Sequence, residues 1–506
     1  YTKTHSYVLD YEKIGKPKKG EKLNNVVIRV WGSTFKPALK KECKRLGVQI
    51  YDRVMATALL NENGKQGGRV VGAMGFSVRT GEVFIFKAKA TIMATAGGGG
   101  LYTFSSELCG LSYMSSRNST GEGIVMAWNA GAELANMEAS GILGIASGFK
   151  HKWYSGAGDA SYENVPLVDA NGKRLPLPTQ GWDDWGAMVG MPGTDDKIRE
   201  GVMKGEYELP FYGDFPAMSD VERRATWDLM LKEESTTRVI MDQYNKHGYD
   251  GSRDLLQSYK FIEGKSLPQW GEGGHGGALI VDWNLKTTLD GLYAAGGSMF
   301  SAEDHSYCAA TGRYAGRKAV DYARTAKQGK VSRAQIDKEK ERILAPTKRS
   351  SGIEWKELNV GINKVMQYYV SEFRTERLFN IALQALDKIE KEHVPNLYAM
   401  DPHKLMRSLE DVSILNVARI MIMAMKNHKS SNPRLNLMRI DYPQIDPPDQ
   451  YKFSTIKQVN GKPVFGSLPM RFFGDMKKQY EAHNKDYTGV YGKKSATAGT
   501  AGGKKK

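Results

Sequence analysis

Thr91-Ile-Met-Ala-Thr-Ala-Gly97-Gly-Gly-Gly100 decides the fold, because a short apolar run passes directly into four consecutive glycines. A glycine costs about 1 kcal/mol inside a regular element. A run of them at a strand end therefore serves something that must come close to the backbone. Upstream, residues 25–31 are β-rich, 34–46 read as a short basic helix and 48–60 as strand, a βαβ-like opening. Residues 61–68 form a turn, 69–79 and 83–89 predict a hairpin about Thr80-Gly81, and 91–96 a short strand. Downstream, 120–134 predict a helix with Thr120 as N-cap, Ile124, Ala127 and Gly131 on its packing face, and an N-terminus facing an anion.

From about residue 136 to 270 the pattern loosens into Gly-, Pro- and Trp-rich loops, as expected of an inserted, substrate-covering domain. Order returns in two strand-like runs, 278–283 and 291–297, and a small-residue helix, 312–325. From Ser332 the composition is helical. Leu378, Ala382, Ala385 and Ile389 share one face, and Asp401-Pro402 opens a helix carrying Leu405, Leu409 and Val412. The last seventy residues read as Pro-rich and irregular, ending in a disordered cationic tail from Lys493.

The whole chain has 506 residues, 41% hydrophobic and 25% charged, with 72 Lys+Arg against 56 Asp+Glu for a net charge of +16. Such a chain folds into roughly two to four packed units. Its longest apolar stretch, 413–425, carries Arg419 and is too short to cross a hydrocarbon layer. Residues 1–22 lack a signal-peptide core and hold six lysines, so the expectation is an internal or processed start and a cytoplasmic location. Cys43, Cys109 and Cys308 stand far apart without a Cys-x-x-Cys, which excludes an iron–sulfur cluster or zinc site built by this chain alone; any cluster belongs to a partner. The positive surplus is spread out, favouring acidic proteins or small anions over nucleic acid. Gly271-Glu-Gly-Gly-His-Gly276 satisfies G-x-G-x-x-G but precedes a β-run, whereas the dinucleotide fingerprint needs a strand before and a helix after.

Ala94-Thr-Ala-Gly-Gly98, Thr120-Gly-Glu-Gly, Ala130-Gly-Ala-Glu133, His275-Gly-Gly277, Gly291-Leu-Tyr-Ala-Ala-Gly296 and Gly312-Arg-Tyr-Ala-Gly316 occur in that order. This order resembles the FAD-dependent flavoprotein subunits of the succinate dehydrogenase and fumarate reductase superfamily, with the closest likeness to the alpha subunit of adenylylsulfate reductase. Residues 72–79 with 83–89, 198–205 and Arg439-Ile-Asp-Tyr-Pro443 support that branch. The resemblance implies an α/β (α+β) fold: an FAD-binding Rossmann-like domain in two parts, 26–135 and 271–330, around a capping domain, 136–270. A basic segment (1–25), a helical domain (331–432) and an extended C-terminal region (433–506) complete it. The family's opening strand, glycine turn and helix are expected to be missing.

The resemblance implies FAD held by Ala94, Thr95, Ala96, Gly97, Gly98, Gly99, Gly296, Gly297, Ser298 and Arg313. It also implies His275 and His305 beside the flavin, and a hetero-oligomer whose partner is a ferredoxin-like iron–sulfur subunit. Arg117, Lys150, His151 and Lys152 form a candidate edge for a small anionic substrate. Departures bear on the substrate: Gly297 stands where the family has an acidic residue, Met218-Ser219-Asp220 where fumarate reductases have Pro-Arg-Asp, and Gly148-Phe149-Lys150 where adenylylsulfate reductases have Arg-Phe-Lys. A divergent substrate is expected of an enzyme; a degenerate, non-catalytic scaffold subunit or an enoate reductase of the fumarate reductase type are the alternatives.

Overall fold

The computed structural model describes residues 32–101, 119–139, 166–175, 201–202, 204–221, 223–224, 244–257, 277–300, 305–370, 374–432, 435 and 437–483. The chain divides into two compact units, one of residues 1–52, 102–117 and 143–272, the other of 53–101, 118–142 and 273–506.

In the first unit the basic stretch forms a helix, Gly32–Arg45, ending on Lys44 and Arg45, cations that suit the negative end of a helix. Leu167–Val168, Tyr212–Gly213 and Leu256–Gln257 make a small antiparallel sheet. Leu175 and Phe211 lie buried together in this unit.

The second unit carries the candidate site. Strands β1 (Val54–Asn61), β2 (Val70–Ser77) and β3 (Val83–Lys87) form an antiparallel sheet in that order, so both sequence-level turns, 61–68 and Thr80-Gly81, exist. Residues 48–53, read as strand, precede β1 as irregular chain. Strand β4 (Thr91–Met93) is followed by the glycine run and then by helix α1 (Glu122–Ala130). Thr120 does not cap this helix. The N-cap is Gly121 in the left-handed conformation, and the Thr120 hydroxyl donates to the Glu122 carboxylate instead. Strands β5 (Leu134–Ala135), β6 (Ala278–Leu279) and β7 (Leu292–Ala294) follow, then α2 (His305–Thr325). Ile124, Ala127 and Trp128 of α1 pack with Leu134, Leu279, Leu292 and Ala294 into the largest apolar core, joined by Ile420 and Ala424 from further along the chain.

The helical region runs through α3 (Arg333–Leu344), α4 (Trp355–Tyr369), α5 (Glu376–Glu392) and α6 (Pro402–Asn427). Each begins on a side chain that satisfies orphan N–H groups: Ser332, Glu354 in a capping box with Glu357, Thr375, and Asp401 before Pro402. The buried face of α5 is Phe379, Ala382 and Leu386, one step round from the expected Leu378 set. Helix α6 is buried on nearly every side. Arg439, fully enclosed, closes its end by donating to the carbonyls of Met425 and His428, both at 2.9 Å, and to Asp441 at 2.8 and 2.7 Å. The Arg-Ile-Asp-Tyr motif thus holds the fold together.

The C-terminal stretch is more regular than its prolines suggested. Strands β8 (Lys452–Val459) and β9 (Lys462–Pro469) form a hairpin around Asn460-Gly461, and β8 pairs with β5, giving a four-stranded sheet in the order β9-β8-β5-β6. Asn460 and Gly461 both have positive φ, 50° and 77°, the conformation a two-residue hairpin turn requires. Among the described residues no helix is long and apolar enough to cross a membrane.

Candidate functional site

Two parallel strands position the site. Thr91, Ile92 and Met93 of β4 lie opposite Leu292, Tyr293 and Ala294 of β7. A bond from the Ala295 N–H to the Met93 carbonyl, 2.9 Å, keeps the two chains together beyond the strands. Both therefore leave the sheet side by side at their carboxyl ends, the crevice where open α/β sheets hold ligands. One leaves as residues 94–100, the other as the single turn Gly296–Ser298.

Ser298 joins these loops. Its Oγ accepts the Thr95 N–H at 2.8 Å and lies 3.2 Å from Thr95 Oγ1. Ser298 is 1% exposed, and both bonds are part-buried. Helix α1 closes a third side: Gly98 bridges to Thr120, and the Gly99 N–H donates to the Ser119 carbonyl at 2.6 Å. Gly123 approaches Thr95 so closely that a Cβ would meet its Oγ1 at 1.9 Å, which fixes glycine there. Helix α2 secures the other loop. Thr311 Oγ1 accepts the Gly296 N–H at 2.9 Å and donates to the Tyr307 carbonyl at 2.7 Å.

The structure thus brings Ala94, Thr95, Ala96, Gly97, Gly98 and Gly99 together with Gly296, Gly297 and Ser298. Arg313 stands exposed on α2, two residues after Thr311. His305 opens α2, but its side chain lies outside the described residues, as do His275, Arg117, Lys150, His151 and Lys152. Thr311 and Glu122 are additions. Glu122 stood inside a quoted motif and Thr311 just before one, yet only the fold shows Thr311 holding a loop amide and Glu122 half-buried behind one.

These residues suit a flavin nucleotide. Ala94, Thr95 and Ala96 are exposed at the strand ends, and Ala96 takes a left-handed φ of 56°. The N–H groups of Ala96, Gly97 and Gly297 donate to no atom of the described residues. Backbone donors left open beside a helix N-terminus are what a pyrophosphate or a charged flavin ring engages. Burial holds the Glu122 carboxyl above its usual range despite the Thr120 bond.

Glycine loops at adjacent parallel strand ends, backed by a helix start, define a nucleotide-binding α/β protein. Residues 32–310, more than half of the chain, match the family model for the FAD binding domain. The chain belongs to this family, and its cofactor is FAD. A fumarate reductase (CoM/CoB) subunit of Methanothermobacter marburgensis is 39% identical over 101 residues, 20% of this chain and 16% of that protein. The chain thus matches less than two thirds of that relative's length. Among solved structures, adenylylsulfate reductase from Archaeoglobus fulgidus superposes with a TM-score of 0.68 at 20% identity, over 87% of this chain and 76% of that one. The quinol fumarate reductase of E. coli gives 0.65 at 17% identity, over 88% and 76%. At these identities the structural likeness establishes the fold.

Proposed function

We propose that this chain is the flavoprotein part of an FAD-dependent oxidoreductase that moves two electrons between a small anionic substrate and a partner. The observation that carries the reading is the Ser298–Thr95 contact, which holds the two glycine loops at one pair of strand ends. Bound FAD supplies the two-electron chemistry. The chain's own part is to bind and orient: loops 94–99 and Gly296–Ser298 offer amides to the cofactor, and Thr311 and Ser298 hold those loops in place. His275 and His305 take the substrate-side roles in this reading, orienting the substrate and holding a proton near the reacting atoms. Arg117, Lys150, His151 and Lys152 attract the anion in this reading. Three scattered cysteines cannot ligate a cluster here, which supports a hetero-oligomer whose electron partner is a ferredoxin-like iron–sulfur subunit. A cytoplasmic setting belongs to the same proposal.

Reduction of fumarate is the second reading, favoured by the 39% identity to the Methanothermobacter protein over 101 residues. Turnover assays with a reduced dye as electron donor separate the two. Turnover of a small anion other than fumarate, adenylylsulfate among those assayed, without fumarate turnover supports the first; fumarate turnover supports the second. A flavin-loaded protein that turns over no anionic substrate contradicts both.

A further inference from the structure

Behind the glycine loops, α1 and α6 bring together three carboxyl groups: Glu122, half-buried at the first position of α1, and Glu410 and Asp411, buried inside α6. Glu410 is 5% exposed and Asp411 3%. From α6 itself Arg407 faces them, its Nη1 donating to Glu410 Oε2 at 2.7 Å. From α4, Asn359 donates to Asp411 Oδ1 at 3.0 Å, and Asn363 donates to Asn359 at 2.9 Å. Helix α1 contributes Glu122, which accepts the Thr120 hydroxyl. Phe76 and Ile343, packed with Leu405 and Leu409 of α6, are apolar.

Among the described residues, full ionisation would leave three negative charges against the guanidinium of Arg407 (1 − 3 = −2). Buried charge without a counter-charge is relieved by protonation. Hydrogen bonding points the same way. Among the described residues Asp411 Oδ2 has no hydrogen-bond partner, and neither do Ser408 Oγ of α6 or Asn363 Oδ1 of α4. A proton on Asp411 Oδ2 turns an orphaned acceptor into a donor. Burial lifts Glu410 to about 7 and Asp411 to about 8, with repulsion from Glu122 adding at Glu410 and repulsion from Glu410 adding at Asp411. The Glu122 end adjoins the cofactor loop, since Thr120 bridges Gly98 and Gly123 meets Thr95.

We propose that Glu122, Glu410 and Asp411 form a proton store, half-buried at Glu122 and buried at the other two, that gains a proton when electrons reach an FAD held by residues 94–99 and Gly296–Ser298. The proposal rests on the FAD reading above. Two electrons from a reductant add negative charge beside the start of α1; a carboxylate of the store takes one proton from solvent, forming an O–H bond, and offsets that charge.

The test is the reduced-minus-oxidised infrared spectrum of the FAD-loaded protein near pH 7, with dithionite as reductant. The expected result is a gain in protonated-carboxyl C=O absorption that shifts in heavy water and is lost in Asp411→Asn or Glu410→Gln. The pH dependence of the flavin midpoint potential is expected to become shallower in Glu122→Gln. A flavin-loaded wild type without the carboxyl band overturns the proposal, even if the variants do not fold. So do a band and a potential profile that are the same in every variant. A protein without flavin absorbance fails the FAD reading instead, and the redox coupling falls with it.

Discussion

Ser298 matters to the site through one atom, its Oγ, which receives the Thr95 N–H across 203 residues of sequence. In Ser298→Ala a part-buried donor loses its partner, at a cost of about 1 kcal/mol. The expected outcome is a lower denaturant midpoint and faster flavin release, read by unfolding and by flavin fluorescence; unchanged values in both would remove the residue from its role. In Gly123→Ala the new Cβ falls 1.9 Å from Thr95 Oγ1. Such overpacking costs roughly 1–3 kcal/mol, and thermal unfolding of the variant measures it. At this scale the sequence shows which residue types belong to the site and stops there. Ala94-Thr-Ala-Gly-Gly98 and Gly296-Gly-Ser298 are legible as loops that something approaches, but the bond between them belongs to the strand pairing. The expected role for Thr120 failed similarly: Gly121, free to turn left-handed, takes the cap and leaves the hydroxyl to Glu122.

Elements were readable where periodicity and caps agree. Asp401-Pro402 marks the start of α6, and Asp401 does accept the Lys404 N–H at 2.7 Å. Asp401→Ala is expected to cost about 1 kcal/mol, seen as a lower midpoint in chemical denaturation. The C-terminal hairpin was missed although its signal was present. Asn460-Gly461 is a strong two-residue turn pair, but Pro463 and Pro469 in β9 look like interruptions. They are tolerated because β9 is the edge of its sheet. Gly461→Val, at a φ of 77°, is expected to destabilise by about 1–2 kcal/mol, and a stability equal to wild type would contradict the turn assignment.

Across the second unit, titration of the buried carboxyls sets an acid-side optimum. Glu410 rises from 4.5 to about 7 and Asp411 from 3.8 to about 8 as burial outweighs their partners. Folded protein thus holds protons that the unfolded chain releases. The stability they contribute is complete below the unfolded values and is lost as pH rises through about 7 and 8. Denaturant midpoints measured from pH 4 to pH 9 should fall on the alkaline side, and fall less in Asp411→Asn. Nothing in the sequence announces this pair, because acidic neighbours in a helix ordinarily face water and only the packing of α4 and α1 on α6 buries them. The order of the glycine motifs, by contrast, was enough to identify the FAD-binding fold, because several segments in the family's order are far more specific than any one of them.

The central claim is that the loops at the ends of β4 and β7 hold FAD. The most direct measurement is the flavin content of the protein purified from its own cells, from its visible absorbance and chain concentration, beside a preparation of Ser298→Ala. The account expects one FAD per wild-type chain and a reduced content in the variant. A wild-type chain that carries no flavin and takes up none from added FAD would contradict it.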